Sequence, residues 1–382
     1  MNRHDTRNRS AAAVLAALAL AGCTAKEPTS ADGPREPITV EASDTACALS
    51  VTEAATGPTT FLVTNNGTKA TEFYVYGTGD RVLGEVENVS PGLQRKLIVN
   101  ITEPGTYRTA CKPGMIGDGI RGDFVVTGAA VNVDADGKFA QAAADYKRYV
   151  TSQTEALIPA TEAFAAAIKA GDVPRAKALY PTTRTYFERI EPVAESFPND
   201  LDPRVDLREA DLEAGATWTG FHRLEKDLWV SGIQPDTAAI ADQLVADVKE
   251  LDAGVRAPEW TIDPTQIAGG AQGLLDEVAA TKITGEEDIF SHTDLWDFNA
   301  NVEGSQTAVA SVRPILDERD PELGKRVDQR FAAVEALLAA YRDGDGFVLY
   351  TTVTEPQRQE LSRAIDALSK EVSQVQGVIA PQ

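Results

Sequence analysis

The chain has 382 residues, 43% of them apolar, enough for two or three domains with conventional cores. Acidic residues outnumber basic ones, 58 to 36, and the formal net charge of −22 argues against a nucleic-acid partner while concentrating cations near the surface. Only three cysteines and three histidines are present, so each can be considered individually.

Arg3, Arg7 and Arg9 precede an apolar run that ends in Leu20-Ala21-Gly22-Cys23. The run is too short to span a bilayer permanently and reads as a signal peptide over residues 1–22. Its closing residues match the lipobox of bacterial lipoproteins, which implies cleavage before Cys23 and acylation of its thiol. Residues 23–37, rich in Pro, Thr, Ser and charge, then form a lipidated flexible linker that tethers the mature chain to the outer side of a membrane. Cys47 and Cys111 remain, and outside the cytoplasm two such cysteines are expected to bridge. Sequence gives no distance between them.

From residue 38 to 128 apolar and polar residues alternate over 38–42, 59–64, 72–76, 93–101, 106–110 and 123–127. Turn signals such as Asn65-Asn66-Gly67 and Glu103-Pro104-Gly105 separate these runs, which predicts a β-sandwich of about ninety residues.

Over 129–382 the period becomes helical. Tyr146, Tyr149, Val150, Leu157, Phe164 and Ile168 follow the three-and-four spacing of an amphipathic helix, which Gly171 ends. Asp172 caps a second helix to about residue 197, segmented at Pro181 and Pro192. Further helices are predicted at 205–229, 236–255, 264–281, 293–316, 321–342 and 355–378, and together they make an all-α bundle.

His222 and Glu225 lie three residues apart, so on a helix they share a face and can grip one ion. Glu188 and Glu191 repeat that spacing, and Asp202, Asp206 and Asp211 approach the His222 helix. Bundles that bind iron or manganese project such pairs inward. An oxygen-rich site with one imidazole favours iron, as Fe2+ or Fe3+, or manganese, and also tolerates Zn2+ or Cu2+. Either pair alone is more often a solvated face. Trp218, Phe221, Leu224, Leu228 and Trp229, however, surround His222 and Glu225 with apolar groups, where polar side chains need partners. The chain has no His-Glu-x-x-His, Gly-x-Ser-x-Gly, phosphate loop or EF-hand, so no catalytic residue is assigned.

The sandwich followed by Tyr146-Lys147-Arg148-Tyr149-Val150, Glu188-Arg189-Ile190-Glu191-Pro192, Gly220-Phe221-His222-Arg223-Leu224-Glu225 and Ser291-His292-Thr293-Asp294-Leu295-Trp296 resembles the EfeO family. Its members are extracytoplasmic components of EfeUOB-type bacterial iron-uptake systems, with a cupredoxin-like domain joined to an imelysin-like domain. The resemblance implies a helical metal site of Glu188, Glu191, Asp206, His222 and Glu225, with His292 and Glu287 as further candidates. It also implies an iron permease and a haem peroxidase as partners. In the sandwich it points to Glu72 with Cys111 and Cys47 as candidate ligands, unless the cysteines are bridged. The sandwich has no histidine, which argues against a blue-copper centre, and Tyr74 and Arg108 replace residues that are often acidic in the family. A metallopeptidase is the alternative, because imelysin-like proteins are classed with peptidases; it requires Glu225 to serve as base rather than ligand. A ferroxidase activity has no supporting motif.

Overall fold

The structure, a computed structural model, describes residues 36–134, 136–212 and 215–381. The signal peptide, Cys23 and the linker up to residue 35 lie outside the described residues.

Alternating burial shapes the first half. In β4, Gly57–Asn65, every second residue is buried. It pairs with β1, Ile38–Ala42, in a sheet completed by β2, Cys47–Leu49, and β7, Gln94–Ile101, in the order β2-β1-β4-β7. The facing sheet runs β3-β9-β8-β5-β6, built from β3, Glu53–Ala55, β5, Thr71–Tyr76, β6, Val82–Val89, β8, Gly105–Pro113, and β9, Ile120–Thr127. Phe61 lies between them, its ring centroid 5.2 Å from Phe73 and 5.5 Å from Phe124. The alternation located six of these strands. It missed β2 and β3, which are short, and β6, whose Gly84, Glu85 and Glu87 are residue types depleted in strands.

Cys47 on β2 and Cys111 on β8 form a disulfide that joins the two sheets. They are 64 residues apart, so the bridge removes unfolded-state entropy equivalent to about 4 kcal/mol. A bridged sulfur is not a thiolate. The ligand set of Glu72 with Cys111 and Cys47 is therefore corrected, and Glu72 stands without them.

The second half packs α1, Lys138–Lys169, α2, Val173–Glu188, α3, Glu191–Glu195, α4, Leu201–Asp206, α5, Gly220–Lys226, and α6, Thr237–Arg256, against α7, Pro264–Glu277, α8, Asp294–Arg319, α9, Pro321–Leu338, α10, Glu355–Val372, and α11, Val375–Ile379. Asp172 caps α2 by accepting from the Arg175 N–H, and Asp263 with Gln266 forms a capping box on α7. Two predicted helices differ from expectation: one, expected to be segmented at Pro181 and Pro192, is interrupted only near Pro192, and one expected to be continuous is broken. The first continues through Pro181 and stops after Glu188, because Pro192 near the start of α3 cannot extend the ladder. The other, expected at 205–229, divides into α4 and α5 with residues 207–219 between them.

The sandwich is bound to the helices along β6 and β7. The Gln376 side chain both accepts from Ile98 N–H and donates to its carbonyl, each at 3.2 Å, and Gln266 Nε2 donates to Val82 O at 3.1 Å. Between β6 and helices α3, α4 and α7 lies a cleft whose walls carry Glu72, Glu87, Glu195, Asp206 and Glu287.

Candidate metal centre

Gly220 opens α5 at φ +83°, and a Cβ there would meet the Val205 carbonyl oxygen at 2.1 Å. Glycine is thus required for α5 to start against the end of α4, and this contact brings Asp206 up to His222. Phe221 and Leu224 bury one side of α5, leaving His222 and Glu225 facing the bundle interior, 1% and 0% exposed.

The two ring nitrogens meet different groups. His222 Nδ1 faces Glu225 Oε2 at 3.3 Å, with Tyr180 Oη at 3.5 Å and Asp288 Oδ1 at 3.9 Å. Glu225 is itself fixed, since its Oε1 accepts from Phe290 N–H at 3.1 Å and Ser291 N–H at 2.6 Å. Asp288 accepts from the Tyr180 hydroxyl at 2.9 Å and from Thr293. On the opposite edge, Nε2 faces Glu287 Oε1 at 3.3 Å and Asp206 Oδ1 at 3.5 Å, and it has no hydrogen-bond partner. One ligand atom from each of Asp206, His222 and Glu287 fits within a 4.8 Å span. A carboxylate that holds Nδ1–H and turns the Nε2 lone pair toward other carboxylates is the arrangement by which proteins orient a metal-binding histidine.

Two buried cations share this acidic interior. Arg184, on the buried stripe of α2 between Tyr180 and Glu188, pairs with Glu188 and Asp206, with Glu287 at 3.1 Å and with Asp297 at 3.1 Å. The Lys282 ammonium lies 3.3 Å from Glu277, 3.4 Å from Glu188 and Glu287, and 3.8 Å from Glu191. Burial and Arg184 press the His222 pKa down, but Asp206, Glu225 and Glu287 outweigh them and raise it to about 10. Burial opposes ionisation of Glu287, yet Lys282 and His222 hold its pKa well below the usual carboxylate range. Burial lifts Glu188 to about 7 against the pull of Lys282 and Arg184.

The predicted residues therefore separate. His222, Asp206 and Glu287 converge, and Glu225 lies behind the ring. Because the helix breaks after Glu188, Glu188 and Glu191 no longer share a helical face; both turn toward Lys282 instead of the imidazole. His292 takes φ +61° and contributes backbone, donating its N–H to Asp288 O and accepting from Tyr350 N–H, while its ring is absent from the cluster. Arg184, Lys282 and Asp288 were missed. The available signal was a cation on an apolar register: Lys282 follows Leu274 and Val278 at four-residue steps, and Arg184 follows Ala176 and Tyr180.

A family model described as imelysin matches residues 142–375, and a cupredoxin-like domain model matches residues 11–126. The iron uptake system component EfeO of Escherichia coli strain K12 and that of Shigella flexneri are each 42% identical over 356 residues, 91% of this chain and 92% of theirs.

Proposed function

Because this chain belongs to the EfeO family of iron uptake system components, we propose that it is an extracytoplasmic iron-binding lipoprotein, which captures ferrous or ferric ion and hands it to a membrane permease. Cys23 would carry the lipid anchor. Among the described residues no helix is long and apolar enough to cross a membrane, so attachment would rest on that anchor.

The observation that supports the reading best is the convergence of three buried groups, His222 Nε2 with one oxygen each of Asp206 and Glu287, within a 4.8 Å span. Asp206, His222 and Glu287 would be the first ligands, with Glu225 orienting the ring. The relatives' iron-uptake role and the oxygen-rich donor set support iron as the cargo. Iron titration of the metal-stripped protein is expected to show one high-affinity ion that His222→Ala removes. Unchanged iron binding in His222→Ala, Asp206→Asn and Glu287→Gln would reject the site.

The peptidase reading is weaker. Its candidate base, Glu225, is held by two backbone N–H groups on the Nδ1 edge, turned from where Asp206 and Glu287 meet Nε2. Metal-dependent cleavage of a casein-type substrate, lost in His222→Ala, would restore it.

A further inference from the structure

We propose that the Lys282 ammonium stands in the place of a second cation beside the His222 centre, and that this lysine thereby limits the protein to one ion. The role depends on the helical iron centre proposed above. Lys282 is fully buried, and its Nζ lies 3.3 Å from Glu277, 3.4 Å from Glu188 and from Glu287, and 3.8 Å from Glu191. These carboxylates come from α2, α3, α7 and the segment before α8. Lys282 itself closes a π-helical turn, Val278–Lys282, that continues α7, a kind of turn found frequently at functional sites.

A simple buried ion pair does not account for these contacts. An ammonium is strongly hydrated, and its burial is offset only by close, charge-assisted hydrogen bonds of about 2.7–2.9 Å. All four contacts of Lys282 are longer, and the one hydrogen bond among them goes to Glu277 Oε1. Arg184 shares Glu188 and Glu287, but it also serves Asp206 and Asp297, so carboxyl groups outnumber cations around Lys282. Glu287 Oε1 joins the two places, facing His222 Nε2 at 3.3 Å and Lys282 Nζ at 3.4 Å. Two neighbouring cation positions, with carboxylates gathered around them from several helices, are the plan of bundles that hold a pair of metal ions. Here a side chain fills the second position.

A tethered ammonium cannot leave, and it keeps Glu188, Glu191 and Glu277 from the cargo. The ion held by Asp206, His222 and Glu287 therefore stays single, and Glu287 divides its charge between that ion and Lys282. Without the ammonium, the oxygen-only cage suits a hard divalent ion such as Mn2+.

The test is Mn2+ titration of the metal-stripped full chain, followed by electron paramagnetic resonance. The parent protein is expected to bind one ion, with the spectrum of an isolated Mn2+. Lys282→Ala and Lys282→Gln should each bind two, with a spectrum broadened by magnetic coupling between neighbouring ions, and Lys282→Ala/Glu188→Gln should return to one. Circular dichroism before and after Mn2+ addition checks folding. A neutral variant that unfolds when stripped should refold with two equivalents of Mn2+ per chain and not with one. Two ions in the parent, one ion in the folded neutral variants, or no refolding at two equivalents would overturn the role of Lys282. A single ion that His222→Ala removes leaves the helical centre standing in that event, whereas a parent ion that survives His222→Ala rejects the centre and the role of Lys282 together.

Discussion

In the proposed site the division of labour between the ring nitrogens would make Glu225 a positioning residue, acting through Nδ1, although His222, Glu225 and Asp288 also bring one ligand atom each within a 4.8 Å span. Glu225→Gln is therefore expected to retain iron stoichiometry while lowering affinity by about 10- to 100-fold. His222→Ala should lose the ion altogether. Isothermal titration of both variants distinguishes the roles, and equal loss in the two would make Glu225 a ligand. Lys282 is the complementary case, a buried cation between carboxylates on several elements. Lys282→Met leaves Glu188, Glu191, Glu277 and Glu287 without that charge. Breaking a buried pair by removing one partner destabilises by about 3–5 kcal/mol. Urea unfolding of the metal-stripped protein should show a loss of that order, and a change below about 1 kcal/mol would contradict it.

At the scale of elements, the junction of α4 with α5 sets the geometry. The backbone contact at Gly220 permits Asp206, at the end of one short helix, to meet His222 in the first turn of the next. Gly220→Ala must place a Cβ where the Val205 carbonyl is, in a left-handed conformation that costs about 1–2 kcal/mol for an L residue. The helices should separate, and iron affinity should fall at least about tenfold while helical content measured by circular dichroism stays near that of the parent. Parent-like affinity would show that the contact does not position the site. The pattern His222-x-x-Glu225 made the Nδ1 pairing legible in sequence, because both residues belong to one helical turn. Asp206 and Glu287 were weaker candidates, since they come from different segments and no local period links them to the ring. Glu188 and Glu191 looked like a second helical pair until the break after Glu188 separated them.

For the molecule as a whole, the ion-free centre is sensitive to pH. The His222 pKa, raised to about 10 from 6.5, contributes stability that is complete below the ordinary value and lost as pH climbs through the raised one. Glu188 and Asp294, lifted to about 7 and about 8 chiefly by burial, act in the same direction, because ionisation becomes unfavourable in the folded state above the ordinary carboxylate range. The melting temperature of the stripped protein should fall as pH rises from about 5 to 8, and bound iron should offset the fall. Binding must also displace the His222 proton, so affinity should rise with pH over that range, with proton release visible by calorimetry in buffers of different ionisation enthalpy. A flat profile with no proton release would contradict both expectations. The amino-acid sequence alone determined the sandwich, the helical bundle and the face shared by His222 and Glu225, because alternation and the three-and-four period act between neighbours on one element. Only the tertiary structure decided that Asp206 and Glu287 face Nε2 and that Arg184 and Lys282 lie among the acids. A period specifies which side of an element is buried, whereas the partner across the gap is chosen by how the elements pack.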